Sequence, residues 1–222
     1  ENSGTIQSLD EVAIRNYQGT ISTLNNSGTI SATHNTIQNL TDSTITEIVN
    51  SGTISSSGTK KKTIRNEGTI TSLNNSGTIS ATHNSNNDGT IHNFSTGTIT
   101  AITNSGTISS TATYGIENLG TITTITNTGT ITGGSGAGDV DIKNTSGIIT
   151  TLNNSQGGSD ALTYGEVLPT NYNVIVNSTS DYGKIVFSNK SGTTTFGVDS
   201  TSTLTGSSVN TTYSDVISGL TE

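Results

Sequence analysis

Three histidines, seven acids scattered through a repeat and one glycine-aspartate run are the residues of this chain whose types could do chemistry. A metal centre needs several ligands near 2 Å from one ion. His34 and His83 hold equivalent places two repeats apart, which at the spacing of stacked strands separates them by about 9.6 Å. His92 precedes Asn93, whose side chain belongs inside, so His92 is expected to face solvent. The run Gly133-Gly134-Ser135-Gly136-Ala137-Gly138-Asp139-Val140-Asp141 approaches the calcium-binding repeat Gly-Gly-x-Gly-x-Asp. Its aspartate falls one place late and the run occurs once, so calcium at 133–141 stays open and the stretch reads as a flexible insertion. Carboxylate-based cleavage of a polysaccharide needs acids converging on one face. Asp42, Glu47, Glu67, Asp88, Glu117, Asp139 and Asp141 occupy different positions of the repeat, and no convergence is expected. No cysteine is present, which excludes disulfides, thiolate metal sites and a cysteine nucleophile. The chain therefore reads as a non-enzyme with no cofactor and no metal.

What positions these residues is a five-residue phrase, Asn-x-Gly-Thr-Ile, first met as Asn2-Ser3-Gly4-Thr5-Ile6. Copies nine residues apart link Gly19 to Gly28, Gly68 to Gly77, Gly97 to Gly106 and Gly120 to Gly129. These pairs recur every 23 to 29 residues, about one turn of a solenoid. Each coil holds two arms, such as Ile116-Glu117-Asn118-Leu119-Gly120-Thr121-Ile122 and then Ile125-Thr126-Asn127-Thr128-Gly129-Thr130-Ile131. Within an arm Ile, Asn, Gly and Ile are two apart, which puts them on one face of an extended chain. Aligning coils stacks like on like in four inward columns, headed by Ile6, Ile14, Ile21 and Leu24. Burying each isoleucine stabilises by roughly 1.5–3 kcal/mol. Asparagines form two further columns, one from Asn16 to Asn144 and one from Asn2 to Asn154. A buried amide is costly unless hydrogen-bonded. Stacked amides solve this by donating to one another as a ladder.

Outward columns also repeat. The nine-residue arm opens as Thr-Ile-Thr at Thr44 and Thr46, Thr69 and Thr71, Thr98 and Thr100, and Thr121 and Thr123. Two threonines flanking an inward isoleucine would project about 7 Å apart and repeat about every 4.8 Å. Such an array resembles the face of β-helical ice-binding proteins, though threonine is also an ordinary exposed strand residue. Length variation falls after the second arm, at 31–36, 55–63, 80–90, 109–115 and 132–141. Insertions on one edge of a solenoid are surface loops and often its binding edge.

Around residue 158 the texture changes. Six of the nine aromatics, Tyr164, Tyr172, Tyr182, Phe187, Phe196 and Tyr213, lie beyond it, and strand-like runs replace the phrase. Two regions are expected: a solenoid over 1–157 and a β-cap over 158–222. The opening coil, beginning in mid-phrase at Asn2, would leave an open edge for another coil or for a self-stacking subunit.

Composition narrows the classes. Thr, Ser, Asn and Gly exceed half of the 222 residues, hydrophobics are 27% and aromatics 4%. That poverty favours disorder, but a net charge of −8 is small and the apolar residues are periodic, so periodicity decides. The acidic balance argues against nucleic acid, whose phosphates need a basic face. Lys60-Lys61-Lys62 reads as a solvated loop, and no stretch approaches a membrane span.

The Leu/Ile-x-Asn-x-Gly-x-Ile phrase resembles the repeats of secreted bacterial β-helices, namely autotransporter passengers and filamentous-haemagglutinin-like exoproteins. In the tail, Tyr182-Gly183-Lys184-Ile185-Val186-Phe187, Thr203-Leu204-Thr205-Gly206-Ser207 and Tyr213-Ser214-Asp215-Val216-Ile217-Ser218-Gly219 resemble the segment that closes a classical autotransporter passenger. The resemblance implies a surface-exposed or released protein with the tail as a folding cap. The chain stops at Glu222 without barrel strands and opens without a signal peptide, so export is implied by resemblance alone. The expected fold is all-β, a right-handed parallel β-helix of about six coils with a C-terminal non-repetitive β-cap. The expected role is a non-enzymatic structural or adhesive module, extracellular or on a bacterial surface, with glycans or proteins of a host or matrix as partners. An ice binder using the threonine array and a polysaccharide-acting enzyme are the alternatives.

Overall fold

A computed structural model describes residues 1–58, 62–82, 89–204 and 211–220. Every regular element among them is a strand. One coil runs through the strands Ile14–Asn16, Thr20–Asn26 and Thr29–Ala32, and each then pairs in parallel with its counterpart in the next coil. Three sheets result. Sheet 1 holds the Ile-x-Asn strands, sheet 2 the seven-residue strands and sheet 3 the Thr-Ile-Ser strands, with nine, eight and six strands respectively. The molecule is a parallel β-solenoid of about eight turns, where the repeat alone predicts about six. The extra turns come from the tail. Leu162–Val167, Ile185–Ser191 and Ile217–Ser218 extend sheet 1, while Asn171–Val174 and Thr195–Val198 extend sheet 2.

The four apolar columns stack in register, and from Ile30 onward their repeat members are at most 1% exposed. The arm is not one extended strand, however. Ile116 and Asn118 lie on sheet 1 and Ile122 on sheet 2, so Asn-x-Gly is a corner. Two arms give two corners per coil, and the variable insertion makes the third. At the corner between sheets 2 and 3 the glycines themselves stack. A Cβ on Gly77 would lie 2.2 Å from the Gly52 carbonyl oxygen, and on Gly106 2.1 Å from that of Gly77. Only a residue without a side chain lets successive coils approach this closely.

Both asparagine ladders form. Asn66 Nδ2 donates to Asn93 Oδ1 at 2.8 Å, and Asn93 Nδ2 to Asn118 Oδ1 at 2.8 Å. The amides also tie down the corners, as Asn93 does by donating to the Gly97 carbonyl of its own coil at 3.1 Å and to the Thr121 carbonyl of the next at 3.2 Å. Ladder residues from Asn39 to Asn144 are wholly buried, yet no amide in the series lacks a partner.

Sheet 3 ends at Thr130–Thr132 for an identifiable reason. Gln156 Oε1 accepts from the Ile131 amide at 2.8 Å, and Gln156 Nε2 donates to the Ile131 carbonyl at 3.1 Å. A side-chain amide thus replaces the next strand and satisfies the backbone that a further coil would have paired. With one wall gone, larger side chains fill the interior. Tyr164 pairs with Ile142, Tyr172 with Leu152, Phe187 with Tyr164 and Phe196 with Tyr172. Tyr164, Tyr172 and their two phenylalanines meet edge to face at 5.6–6.2 Å, the geometry the ring quadrupole favours. Burial pushes the Tyr172 hydroxyl up to about 12 and raises that of Tyr164 further.

Candidate functional site

Outward side chains make three different surfaces, one per sheet. On sheet 2 the expected threonine array divides. Thr44, Thr69, Thr98 and Thr121 pair in register, but pairing skips Thr46, Thr71, Thr100 and Thr123. Inward residues fall at the second and fifth strand positions, three apart, so the third and fourth both face outward. Strict alternation has a period of two. The strand therefore bends at its third residue, and the two threonine columns do not share a plane.

Sheet 3 is the regular surface. Its strands alternate without a break, and Thr29, Thr53, Thr78, Thr107 and Thr130 stack in one half-exposed column. Beside it run Ser31, Ser55, Ser80, Ser109 and Thr132. A third hydroxyl column, Ser27, Ser51, Ser76, Ser105 and Thr128, lies exposed at the adjoining corner.

Sheet 1 carries the chemistry. The residue between Ile and Asn points outward in every coil, giving the column Arg15, Gln38, Arg65, His92, Glu117 and Lys143. Sequence reasoning missed it, although the signal was the middle residue of Ile-x-Asn in the aligned repeats. Arg15 Nε donates to Gln38 Oε1 at 3.2 Å. Arg65 is ion-paired with Glu67 and lies 5.0 Å from the centroid of Phe94. His92 points away from the interior as expected but is only 6% exposed. Phe94 stacks on its ring at 4.0 Å, and its Nδ1 lies 3.0 Å from Glu117 Oε2, so neighbours in the column cover it.

At the top of the column Lys143 Nζ donates to Tyr114 Oη at 2.9 Å and lies 4.6 Å from that ring's centroid. Partial burial works against the ammonium, but the Tyr114 hydrogen bond and the charges of Tyr114, Glu117 and Glu166 outweigh it and raise its pKa. Glu117 also accepts from Thr145 Oγ1 at 3.5 Å. Glu117 and Glu166 act together on Lys143, and Glu166 was not among the acids singled out.

The glycine-aspartate run is tied down by its acids. Asp139 Oδ2 accepts from the Gly136 amide at 2.8 Å. Asp141 Oδ1 accepts from the Gly133 amide at 2.7 Å and Oδ2 from the Thr163 amide at 2.7 Å. Burial raises the Asp141 pKa against these hydrogen bonds. Among the described residues no three His, Asp or Glu side chains gather as a metal site. Glu47 accepts from Asn74 Nδ2 at 3.1 Å, Asp42 is exposed and His34 half-exposed. His83, Asp88, Lys60, Lys61 and Thr205-Gly206-Ser207 lie outside the described residues. No helix among the described residues is long and apolar enough to cross a membrane.

Compared with protein-family models, curated proteins and solved structures, the chain has no match.

Proposed function

We propose that this chain is a non-enzymatic structural and adhesive module displayed outside the cell, secreted or on a bacterial surface as in the autotransporter passengers it resembles. One observation carries the reading. The insertion edge and the adjoining column of sheet 1 present Lys62, Arg65, Phe94, Lys143 and Glu166, mixed charges beside an aromatic ring and over the buried Tyr114, on a frame fixed by two asparagine ladders. Recognition groups on a rigid frame lose little freedom on binding. Glycans or proteins of a host or matrix are the partners such an edge suits. Deleting residues 57–62 and 82–88, which spares the strands Thr53–Ser56, Thr78–Ala81 and Gly89–Asn93, should abolish attachment of the purified chain to matrix-coated surfaces; attachment left intact would remove the assignment to this edge.

Ice binding is the second reading, and sheet 3 favours it over sheet 2. Its threonine column is unbroken and its strands do not bend. The parent chain should then show thermal hysteresis that Thr78→Tyr and Thr107→Tyr abolish. Thr69→Tyr and Thr98→Tyr, on the bent sheet, should leave it unchanged. A parent without hysteresis at high concentration ends this reading.

A further inference from the structure

A depression of about 370 Å³ opens where the charged column ends, bordered by Tyr114, Ala137, Asp139, Lys143, Glu166 and Asn189. Its origin is local. Outward neighbours in sheet 1 are Glu117, then Lys143, then Gly165, whose Cβ position is already met by Val140 Cγ2 at 3.3 Å and Ser188 Oγ at 3.6 Å, so the space lies beside Lys143 and is bounded by the insertion and Glu166. The 132–141 insertion supplies one wall, held in place by the carboxylates of Asp139 and Asp141. Glu166 sits at an irregularity in the pairing of Leu162–Val167 with Ile185–Ser191. Such bulges re-aim a side chain. Glu166 has φ 73° and Asn189 φ 45°, so two non-glycine residues in left-handed conformations border the same depression. Strained backbone of this kind concentrates at ligand sites.

We propose that this depression binds a single uncharged sugar unit of a glycan. Resting on the adhesive reading above, the proposal supplies the ligand class and the site. The volume lies at the lower end of the range for small-molecule pockets. The lining is mainly polar, with acceptors on Asp139 and Glu166, donors on Lys143 and both on Asn189. An ammonium has three N–H donors, and Tyr114 takes one of those on Lys143. Donors and acceptors on several sides suit a ring that carries hydroxyls around its edge. Two carboxylates against one ammonium leave the site with excess negative charge, which disfavours acidic sugars.

The test titrates the full chain with galactose, N-acetylglucosamine, its trimer and glucuronate, read by ligand-observed NMR and calorimetry. At least one neutral probe should bind with a dissociation constant of about 1 mM or tighter, and glucuronate at least about tenfold more weakly. Glu166→Gly and Asn189→Gly should weaken binding about tenfold or more. Both variants should melt no lower than the parent, because glycine accepts these φ values without strain. Ala137→Trp should block the site. No binding of any neutral probe, or equal binding by parent and glycine variants, overturns the proposal. Surface attachment separates the two readings. Attachment unaffected by Glu166→Gly sinks the pocket and leaves the adhesive module standing. Sugar binding by a parent that attaches to nothing does the reverse.

Discussion

Between Ile14 and Asn154 each coil offers the next almost the same inward surface, isoleucine or leucine on isoleucine or leucine and asparagine on asparagine. Beyond Gln156 the same two sheets continue with Tyr164, Tyr172, Phe187 and Phe196 inside. The repeat can bury amides because each has an identical partner one coil away. The tail cannot, since its coils differ, and there the ladders terminate on carbonyls. Asn144 Nδ2 donates to the Val167 carbonyl at 2.8 Å, and Asn154 Nδ2 to the Gln156 and Lys184 carbonyls at 3.0 and 3.2 Å. A polar interior is stable in this molecule only while the sequence repeats.

The sharpest way to break that contrast is to remove one amide from each region. Asn93→Ala deletes the contacts that its amide donates to three oxygens and the one it accepts from Asn66, and leaves the wholly buried Asn118 Oδ1 without its donor. Such a loss should cost about 4 kcal/mol. Asn173→Ala in the tail removes a half-buried contact to Asn153 Oδ1 at 2.9 Å and should cost under about 1 kcal/mol. Urea unfolding of both variants measures the difference. Equal costs would mean that the ladder satisfies amides without making the coils interdependent.

A smaller effect is expected at the junction. Gln156→Leu keeps the volume but leaves the amide and carbonyl of Ile131 unpaired at the end of sheet 3. About 2 kcal/mol should be lost. Hydrogen exchange should quicken first at Thr130–Thr132, the last strand of that sheet. Uniform quickening along the stack would show that Gln156 supports the whole solenoid instead of sealing one edge.

The repeat was legible because its determinants lie close together in sequence. Isoleucine and asparagine columns follow from the spacing of Asn-x-Gly-Thr-Ile, and the register of Ile99 on Ile70 and Asn104 on Asn75 realises them. Corners were harder to read. Asn118 to Gly120 keeps a two-residue rhythm through a bend, so periodicity alone does not separate one strand from two around a corner. The site was hidden for another reason. Lys143, Glu166 and Asn189 come from a repeat, a bulge and a tail strand, and only the continuation of sheet 1 through Leu162–Val167 and Ile185–Ser191 brings them together. Gln156 carried no signal, because its role depends on the strand that is absent beside Ile131.

The insertion wall gives the smallest effect and the one most specific in sign. Asp141 joins the repeat to the tail, accepting from Gly133 on one side and Thr163 on the other. Desolvation dominates its balance and raises its pKa above the ordinary 3.8, while the hydrogen bonds from Thr163 and Gly133 oppose it. A carboxyl whose pKa is higher in the folded chain binds more protons there than when unfolded. Its contribution to stability is therefore fully present below about pH 3.8 and is lost as pH rises through the folded value. Asn cannot titrate, so Asp141→Asn should remove this part of the pH dependence. Unfolding free energies of parent and variant, followed from about pH 3 to about pH 7, should differ by a term that falls as pH rises and then levels. A difference that rose with pH would mean that the two amides hold the carboxylate more firmly than burial penalises it. The wall of the depression would then be set by charge, and acid would open it.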